Sequence, residues 1–313
     1  MIRLIAHRLL LSVPLLFVVT VLSFALEQIV PGDAAQDIAG PRATPAELEQ
    51  IRIQLGLTRP FWSQYAHWLG NALHGNLGTS LFTGQPVTAD LDSRLPVTLS
   101  LMAGVLIVCT VVGLALGTVS ARHEGALGKA IDALSMAGLG LPAYWLSLVL
   151  IAIFAVGLRI LPATGYTYFT SSPRLWALDL VLPVIALSLG AVTVMAKQTR
   201  DSMRTVLGQP FIRGLRAAGV PERSVIWKHA LRNASIPLVT VLGLVAVATL
   251  SASVFVEAAF VLPGLGSLAV SAAQEHDLPV VEGIALYFTT ATIIINLLVD
   301  ITYGWLNPRI RVT

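Results

Sequence analysis

Long apolar runs separated by short charged segments dominate this chain. Six runs contain no Asp, Glu, Lys or Arg over roughly 17 or more residues, which is enough for a helix to cross about 30 Å of hydrocarbon. The pattern therefore predicts an all-α, polytopic membrane protein with six transmembrane helices. The six runs are 9–26, 95–121, 133–158, 180–196, 233–256 and 283–299.

Two further features of the pattern decide the number of spans. A seventh uncharged run, 258–274, has Pro263, Gly264 and Gly266 near its centre, which would leave backbone groups unsatisfied in lipid. It is predicted to be a re-entrant or surface segment. The first run follows Arg3 and Arg8 and could be a cleaved signal peptide, but its length favours a spanning helix. Pro142, inside the third run, is expected to produce a tolerated kink.

Composition agrees with a membrane protein and removes several other classes. Hydrophobic residues make up 55% of the chain and charged residues 12%, against about 25% charged in soluble domains. The single Cys109 lies in an uncharged run, which excludes a disulfide framework and a Cys-ligated metal site. His67 and His74 are predicted to be surface histidines instead of metal ligands, because no cysteine lies near them.

The distribution of Lys and Arg predicts the orientation. With the amino terminus inside, fourteen of the 20 cations fall in cytoplasmic segments and six outside, so both termini are expected to be cytoplasmic. The predicted organisation is 1–30 for the amino-terminal end and first span, 31–94 for an extracytoplasmic helical insertion, and 95–313 for a five-helix core. Eight of the cations lie in the cytoplasmic segment 197–232.

The insertion carries signals for two short helices. Thr44 and Glu47 form a capping box with Pro45 at the first helical position, and Gly56 is expected to close that helix. Pro60 is expected to open another helix with an aromatic stripe. The stripe is predicted to rest on the membrane interface or on the bundle, with contact to a substrate-binding protein as the alternative. Its members are Phe61, Tyr65 and Trp68.

Segment 197–232 has an internal pattern beyond its charge. Phe211, Leu215 and Ala218 recur at helical spacing, while Arg213 and Arg216 fall on another face, which predicts a short amphipathic helix. Gly219 and Pro221 should end it. A second helix is predicted to begin near Ser224, with one stripe made by Trp227, Leu231 and Ala234. Two helices separated by a sharp turn suit docking onto a partner protein. The alternative is a solvated loop without a docking role.

Catalytic functions find no support in the sequence. The phosphate-binding pattern of an ATPase is absent, since Gly128-Lys129 lacks the earlier glycine and is followed by Ala130. All six His lie outside the apolar runs, so intramembrane catalysis is not expected. An ion-coupled secondary transporter is the serious rival, but such carriers keep ionisable residues at membrane depth. The second to fifth runs have none, and Asp300 lies toward the cytoplasmic end of the sixth.

Several motifs resemble those of the inner-membrane permeases of bacterial ABC importers, in the peptide and nickel group. The stretch HALRNASIP (229–237) is similar to the cytoplasmic "EAA" loop of that family, and Gly219 matches its glycine, although Arg213, Gly214 and Leu215 replace the opening triplet. The resemblance covers almost the whole length. The other similar blocks are IVPGD (29–33), LGLTRPFWSQYAHWL (55–69), GNLGTS (75–80), LPAYW (141–145), LPATGY (161–166), LPGLG (262–266) and NLLVDITYGWLNPRIR (296–311).

The resemblance implies a non-enzymatic permease subunit that forms half of a translocation path in the bacterial inner membrane. It implies a second permease chain, expected to give a heterodimer, two ABC ATPase subunits that hold ATP and Mg, and an extracytoplasmic solute-binding protein. This chain itself is expected to bind no cofactor, metal or nucleic acid. The implied coupling residues are Phe211, Arg213, Gly214, Leu215, Arg216, Ala217, Ala218, Gly219, Pro221, Glu222 and Arg223.

The substrate is less constrained than the role. Short peptides are the first expectation from the resemblance, and nickel chelates, glutathione or another small solute are the alternatives. Polar residues scattered in the apolar runs suit a wide, weakly selective path. The candidate path-lining residues are Thr193, Ser251, Ser253, Thr289 and Asn296.

Overall fold

The computed structural model describes residues 2–29, 34–40, 42–122 and 140–306. Within these ranges the chain is helical apart from connecting loops and one isolated antiparallel bridge, Thr79 to Pro86, so the all-α prediction is confirmed. Eleven helices are described: α1 (Ile2–Ile29), α2 (Ala34–Ala39), α3 (Pro45–Gln54), α4 (Phe61–Leu73), α5 (Val87–Arg122), α6 (Ala143–Gly157), α7 (Pro173–Leu207), α8 (Pro210–Ala217), α9 (Glu222–Phe260), α10 (Leu265–Gln274) and α11 (Leu278–Leu306).

Five of the six predicted spans correspond to helices long and apolar enough to cross a membrane. These are α1, α5, α7, α9 and α11. The third predicted span, 133–158, begins outside the described residues, and its described part is the shorter apolar helix α6. The turns of α6 from Ile151 to Gly157 are π-helical.

The long helices extend well beyond the uncharged runs that predict them. Helix α7 has 35 residues, or about 52 Å, which exceeds the hydrocarbon thickness. Its start is fixed by local chemistry, because the Ser172 hydroxyl accepts a hydrogen bond from the Leu175 N–H and Pro173 occupies the first turn. An uncharged run therefore marks the part of a helix suited to hydrocarbon, and caps decide where the helix itself begins and ends.

Segment 258–274 does not form a continuous helix. Helix α9 ends at Phe260, and Val261 adopts a left-handed conformation with φ of 54°. Helix α10 then covers ten residues, about 15 Å, too short to span. The prediction of a kink at Pro142 is wrong, because Pro142 lies at the N-cap of α6 and therefore outside the helix.

The described chain divides into two compact units. The first unit comprises residues 2–98 and 263–294. Its core joins α1, α4 and α10 with the amino-terminal turns of α11. Phe24 of α1 is 1% exposed and meets Phe61 and Tyr65 edge-on, with ring centroids 5.4 and 5.8 Å away. The Tyr65 hydroxyl lies 2.9 Å from the Thr20 hydroxyl, so the α4 stripe is packed on the first helix.

The second unit comprises residues 99–122 and 140–262 and the described residues from 295 onward. Glycines of α5 allow close approach to α7. A methyl group at Gly117 would lie 2.5 Å from both the Ala196 carbonyl oxygen and the Thr199 Cβ, and one at Gly113 would lie 2.7 Å from the Met195 side chain. Small residues of this kind bring membrane helices close enough for extensive van der Waals contact.

Candidate functional site

Helix α8 is the short helix that the pattern predicts in segment 197–232. Pro210 occupies its first turn, where a missing N–H costs nothing. The helix ends because Gly219 takes a φ of +76°, and the N–H groups of Ala218 and Val220 close the end by bonding to the Gly214 and Leu215 carbonyls at 2.9 and 3.1 Å. The predicted helix and its glycine stop are confirmed.

The apolar face of α8 is partly different from the predicted one. Ile212 is completely buried, and Leu215 packs against the same cluster as a half-buried residue. Phe211 is 39% exposed and Ala218 is also exposed, so these two residues do not belong to the packed face. The sequence prediction missed Ile212, although its spacing of three from Leu215 was the available signal.

Ile212 anchors α8 to the ends of two long helices. It belongs to a buried cluster that includes Met203 and Val206 from α7 and Val225 and Ile226 from α9. All of these residues lie in the second unit, and each is at most 7% exposed. Any force applied to α8 is therefore transmitted by close packing to α7 and α9.

Around the buried Ile212, the rest of α8 is open and carries two cations. Its exposed residues include Arg213 and Arg216. Arg216 donates two hydrogen bonds to the Glu222 carboxylate, at 2.7 and 3.1 Å, across the corner between α8 and α9. That hydrogen bonding raises the pKa of the Arg216 guanidinium. Both side chains are 44% exposed, so the pair contributes at most about 1 kcal/mol. The remaining candidate coupling residues are also exposed, namely Gly214, Ala217, Pro221 and Arg223.

The second helix begins at Glu222, two residues before the predicted Ser224. Its turns from Val225 to Ala230 are π-helical, which inserts one residue relative to an α-helix and rotates the following side chains. Trp227 is consequently 50% exposed, and the buried residues are Val225, Ile226, Ala230 and Ala234. The predicted stripe of Trp227, Leu231 and Ala234 is therefore wrong at Trp227.

The five candidate path residues are not equivalent. Thr193, Ser253 and Thr289 are at most 9% exposed. Their hydroxyls donate to carbonyl oxygens of their own helices, those of Leu189, Leu250 and Ala285 respectively. Ser251 and Asn296 are exposed on α9 and α11, so the five residues do not form one surface.

Sequence reasoning missed three buried carboxylic acids. Glu257 of α9, in the second unit, and Glu282 of α11, in the first unit, are both 0% exposed. Each lies directly beside an uncharged run, so neither interrupts the pattern that predicts the spans. The third, Asp277, is 3% exposed and accepts a hydrogen bond of 2.5 Å from the Ser80 hydroxyl.

The histidines of the insertion are held by local hydrogen bonds. His67 Nδ1 lies 3.3 Å from the Asn71 amide nitrogen, and His74 Nδ1 lies 2.8 Å from the Gly70 carbonyl oxygen. Among the residues that the structure describes, no group of three His, Cys, Asp or Glu side chains is arranged to hold a metal ion. The described residues instead form long packed helices and one short helix, α8, that exposes Arg213 and Arg216.

Comparison with known proteins identifies the family. Residues 113–312 match the family of binding-protein-dependent transport system inner membrane components, and residues 1–102 match the N-terminal model of the same membrane components. The chain belongs to this family. It is thus a multi-pass inner-membrane component of a transport system, and the resemblance to ABC importer permeases is confirmed. The family membership also sets aside the ion-coupled carrier.

Individual relatives match nearly the whole chain. A dipeptide transport system permease protein of Escherichia coli is 34% identical and a glutathione transport system permease protein of Escherichia coli is 37% identical, each over 99% of both chains. A transport system permease protein of Brucella abortus is 38% identical over the same share. Among solved structures, an inward-facing MetNI methionine ABC transporter matches 69% of this chain and 96% of its own with a TM-score of 0.55. At 16% identity that likeness concerns the fold alone.

Proposed function

We propose that this chain is one of two permease subunits, expected to be different chains, that together enclose a translocation path. Two ABC ATPase subunits bind ATP and Mg on the cytoplasmic side, and an extracytoplasmic solute-binding protein delivers the substrate. The family match, in which the membrane component serves binding-protein-dependent transport, supports this assembly. The chain itself needs no cofactor for such a role, because the energy enters through its partners.

The observation that carries the proposal is the two-sided character of α8. One face is fixed to the chain through Ile212, whereas the other leaves Arg213 and Ala218 open. A short helix exposed in this way on a cytoplasmic segment can fill a groove on an ATPase subunit. Arg216 is occupied by Glu222, so Arg213 and Arg223 are the cations available to acidic residues of that partner.

The mechanism follows from how α8 is attached. When ATP binding closes the ATPase dimer, α8 moves with its groove, and the buried cluster passes this displacement to α7 and α9. These helices have 35 and 39 residues and traverse the membrane, so a tilt at one end changes the position of the other. The path then opens alternately to the two sides. The coupling requires a packed element with two arrangements, as in other domain-closure transitions.

Orientation and organisation complete the proposal. The excess of cations in segment 197–232 supports a cytoplasmic position for α8 and for both termini. Residues 31–94 then form an extracytoplasmic insertion, following the first span in 1–30, and residues 95–313 supply the permease core. Because the aromatic stripe of α4 is packed on α1, the solute-binding protein would contact other surfaces of the insertion.

Short peptides are the proposed substrate. Support comes from the relatives named for dipeptide and glutathione transport, since glutathione is itself a small peptide. Ser251 and Asn296, the exposed members of the candidate set, are the proposed path-lining residues of this chain. Nickel chelates or another small solute remain as alternatives, which are distinguished by the ligand that copurifies with the solute-binding protein.

Ala218→Glu tests the docking role. Ala218 is exposed, so the substitution should leave folding and membrane insertion intact while placing a bulky charge on the docking face. We expect loss of substrate-stimulated ATP hydrolysis and weaker retention of the ATPase subunits during purification. Ala66→Glu, an equally exposed alanine on α4, is the matched control and should retain the ATPase subunits. Normal ATPase retention and stimulation in the Ala218 variant would refute the docking role.

A further inference from the structure

The first unit contains a cavity of about 430 Å³ that the transport role does not use. Its walls come from the turn between α3 and α4, from Phe24 of α1, from the loop around Gly78, and from Leu278 and Pro279 at the start of α11. All of these residues belong to the first unit. The volume falls within the range of about 300 to 1,000 Å³ that is typical of small-molecule sites.

One wall of the cavity presents hydrogen-bond donors. Among the described lining residues, Arg59 supplies the only permanently charged side chain, and none is Asp or Glu. The Asn71 amide nitrogen donates to His67 Nδ1, which leaves the ring hydrogen on Nε2 as a second donor. Trp68 also lines the cavity, but its indole nitrogen has almost no accessible surface, so the ring contributes an apolar wall.

The backbone holds Arg59 beside the cavity in a defined way. Gln64 donates from its amide nitrogen to the carbonyl oxygens of Leu57 and Arg59, at 3.2 and 2.7 Å. Gly56 makes this turn possible because its φ of +70° is unfavourable for other residues. The α3–α4 turn is thus a fixed support for the guanidinium, and a guanidinium is the side chain best suited to a carboxylate.

Aliphatic side chains line much of the rest of the cavity, beside the polar Gln54 and Thr79. They come from three separate segments, so an occupant would lie with its polar end toward Arg59 and its carbon skeleton against them. Removing such a skeleton from water is favourable. The aliphatic lining residues are Ile53, Leu55, Leu57, Leu77, Leu81 and Leu278.

We propose that this cavity binds a small aliphatic carboxylate, with the carboxylate at Arg59 and His67. Two sources share that chemistry: the carboxyl-terminal residue of a short peptide substrate, and a free fatty acid. Only the first source rests on the proposed function, in which case the cavity is a substrate site separate from the translocation path. If the ligand is a fatty acid, the cavity is a lipid-binding site and does not influence which substrate is transported.

The test uses the purified permease complex in nanodiscs, without solute-binding protein or nucleotide. Binding of octanoate, of the dipeptide Leu-Leu, and of the amides of both is measured by isothermal titration calorimetry. We expect at least one acid to bind and its amide to bind roughly tenfold or more weakly, because hydrogen bonds to a charged group are lost. Saturable binding of Leu-Leu assigns the site to substrate, and binding of octanoate alone assigns it to fatty acid.

Two variants locate the binding in this cavity. Arg59→Gln removes the charge and His67→Leu removes the ring donor, and each should weaken acid binding by roughly ten- to a hundredfold. Arg52→Gln, a neighbouring exposed cation of α3 outside the cavity lining, should bind as the wild type does. The proposal is wrong if neither acid binds, if the amides bind as tightly as the acids, or if both cavity variants keep wild-type affinity. Because ATP hydrolysis is not involved, these outcomes are separate from failure of α8 docking.

Discussion

Helices α4 and α8 look alike in sequence and end up in opposite situations. Both are short and amphipathic, and both lie outside the predicted spans. In the first unit, α4 covers its aromatic stripe within the chain, with Tyr65 3% and Trp68 8% exposed. In the second unit, α8 buries Ile212 and leaves its cationic side open. An amphipathic pattern thus shows that one side of a helix is packed. Whether the other side remains open to a partner depends on the surrounding structure.

The difference has an energetic consequence. Edge-to-face aromatic pairs and large buried rings make the α4 contact a structural one, each pair adding about 0.5–1.5 kcal/mol beyond its burial. The α8 contact is smaller, because it rests mainly on the buried Ile212 and the half-buried Leu215. Breaking each contact should therefore have different results.

The largest effect is expected at Phe24. Phe24→Ala removes a ring that is 1% exposed and faces both Phe61 and Tyr65, and should destabilise the first unit by about 3–5 kcal/mol. Thermal unfolding of the purified protein, followed by scanning fluorescence, measures the change. Leu73→Ala is the control, since Leu73 is 79% exposed and its loss should change stability by at most about 0.5 kcal/mol. Equal shifts in the two variants would mean that the α4 stripe does not hold the unit together.

A smaller and local effect is expected at Ile212. Ile212→Ala should weaken the anchor of α8 by about 2 kcal/mol, and because so little else holds the helix, the loss should appear as local opening. We expect roughly thirtyfold faster amide hydrogen exchange within α8, with little change in the unfolding temperature, and poorer coupling of ATP hydrolysis to substrate. Ile212→Val removes one methylene group and should cause only a fraction of the change. Unaltered exchange in the alanine variant would show that α8 is held by other contacts.

The smallest effect concerns the capping box at the start of α3. The backbone N–H of Thr44, 2.8 Å from the Glu47 carboxylate, lowers the pKa of that carboxyl, with a further contribution from the Thr44 hydroxyl. A lowered folded-state pKa means that the stabilisation is complete above the ordinary glutamate value of about 4.3 and is lost as the pH falls through the folded value. Carbon-13 NMR titration of Glu47 should therefore give a pKa below the ordinary one.

Thr44→Ala provides the check on this assignment. It removes the hydroxyl and keeps the backbone N–H, so the pKa of Glu47 should rise part of the way toward the ordinary value. The amide chemical shifts of α4 should not change in this variant, because that helix begins at Pro60 without a side-chain cap. An unshifted Glu47 in the wild type would contradict the capping box in solution.

Much of the fold was predictable because it depends on local chemistry. The positions of five spans, the stop at Gly219 and the capping box at Thr44 each follow from residues close together in the chain. The candidate site was predictable to the same extent: the position of α8 was correct, but its packed face was not. Which of Phe211 and Ile212 faces inward depends on the neighbouring ends of α7 and α9, and that information is not local.

The sequence by itself determined the membrane class, the helical content and the cationic short helix, since hydrophobic period and capping act over a few residues. Tertiary structure decided what distant segments share. It placed Ser80 against Asp277 across 197 residues, fitted Gly117 against α7, and used a π-helical turn to move Trp227 outward. A period fixes the angle of each side chain on its own helix, whereas only packing decides which angle meets another helix and which remains open to a partner.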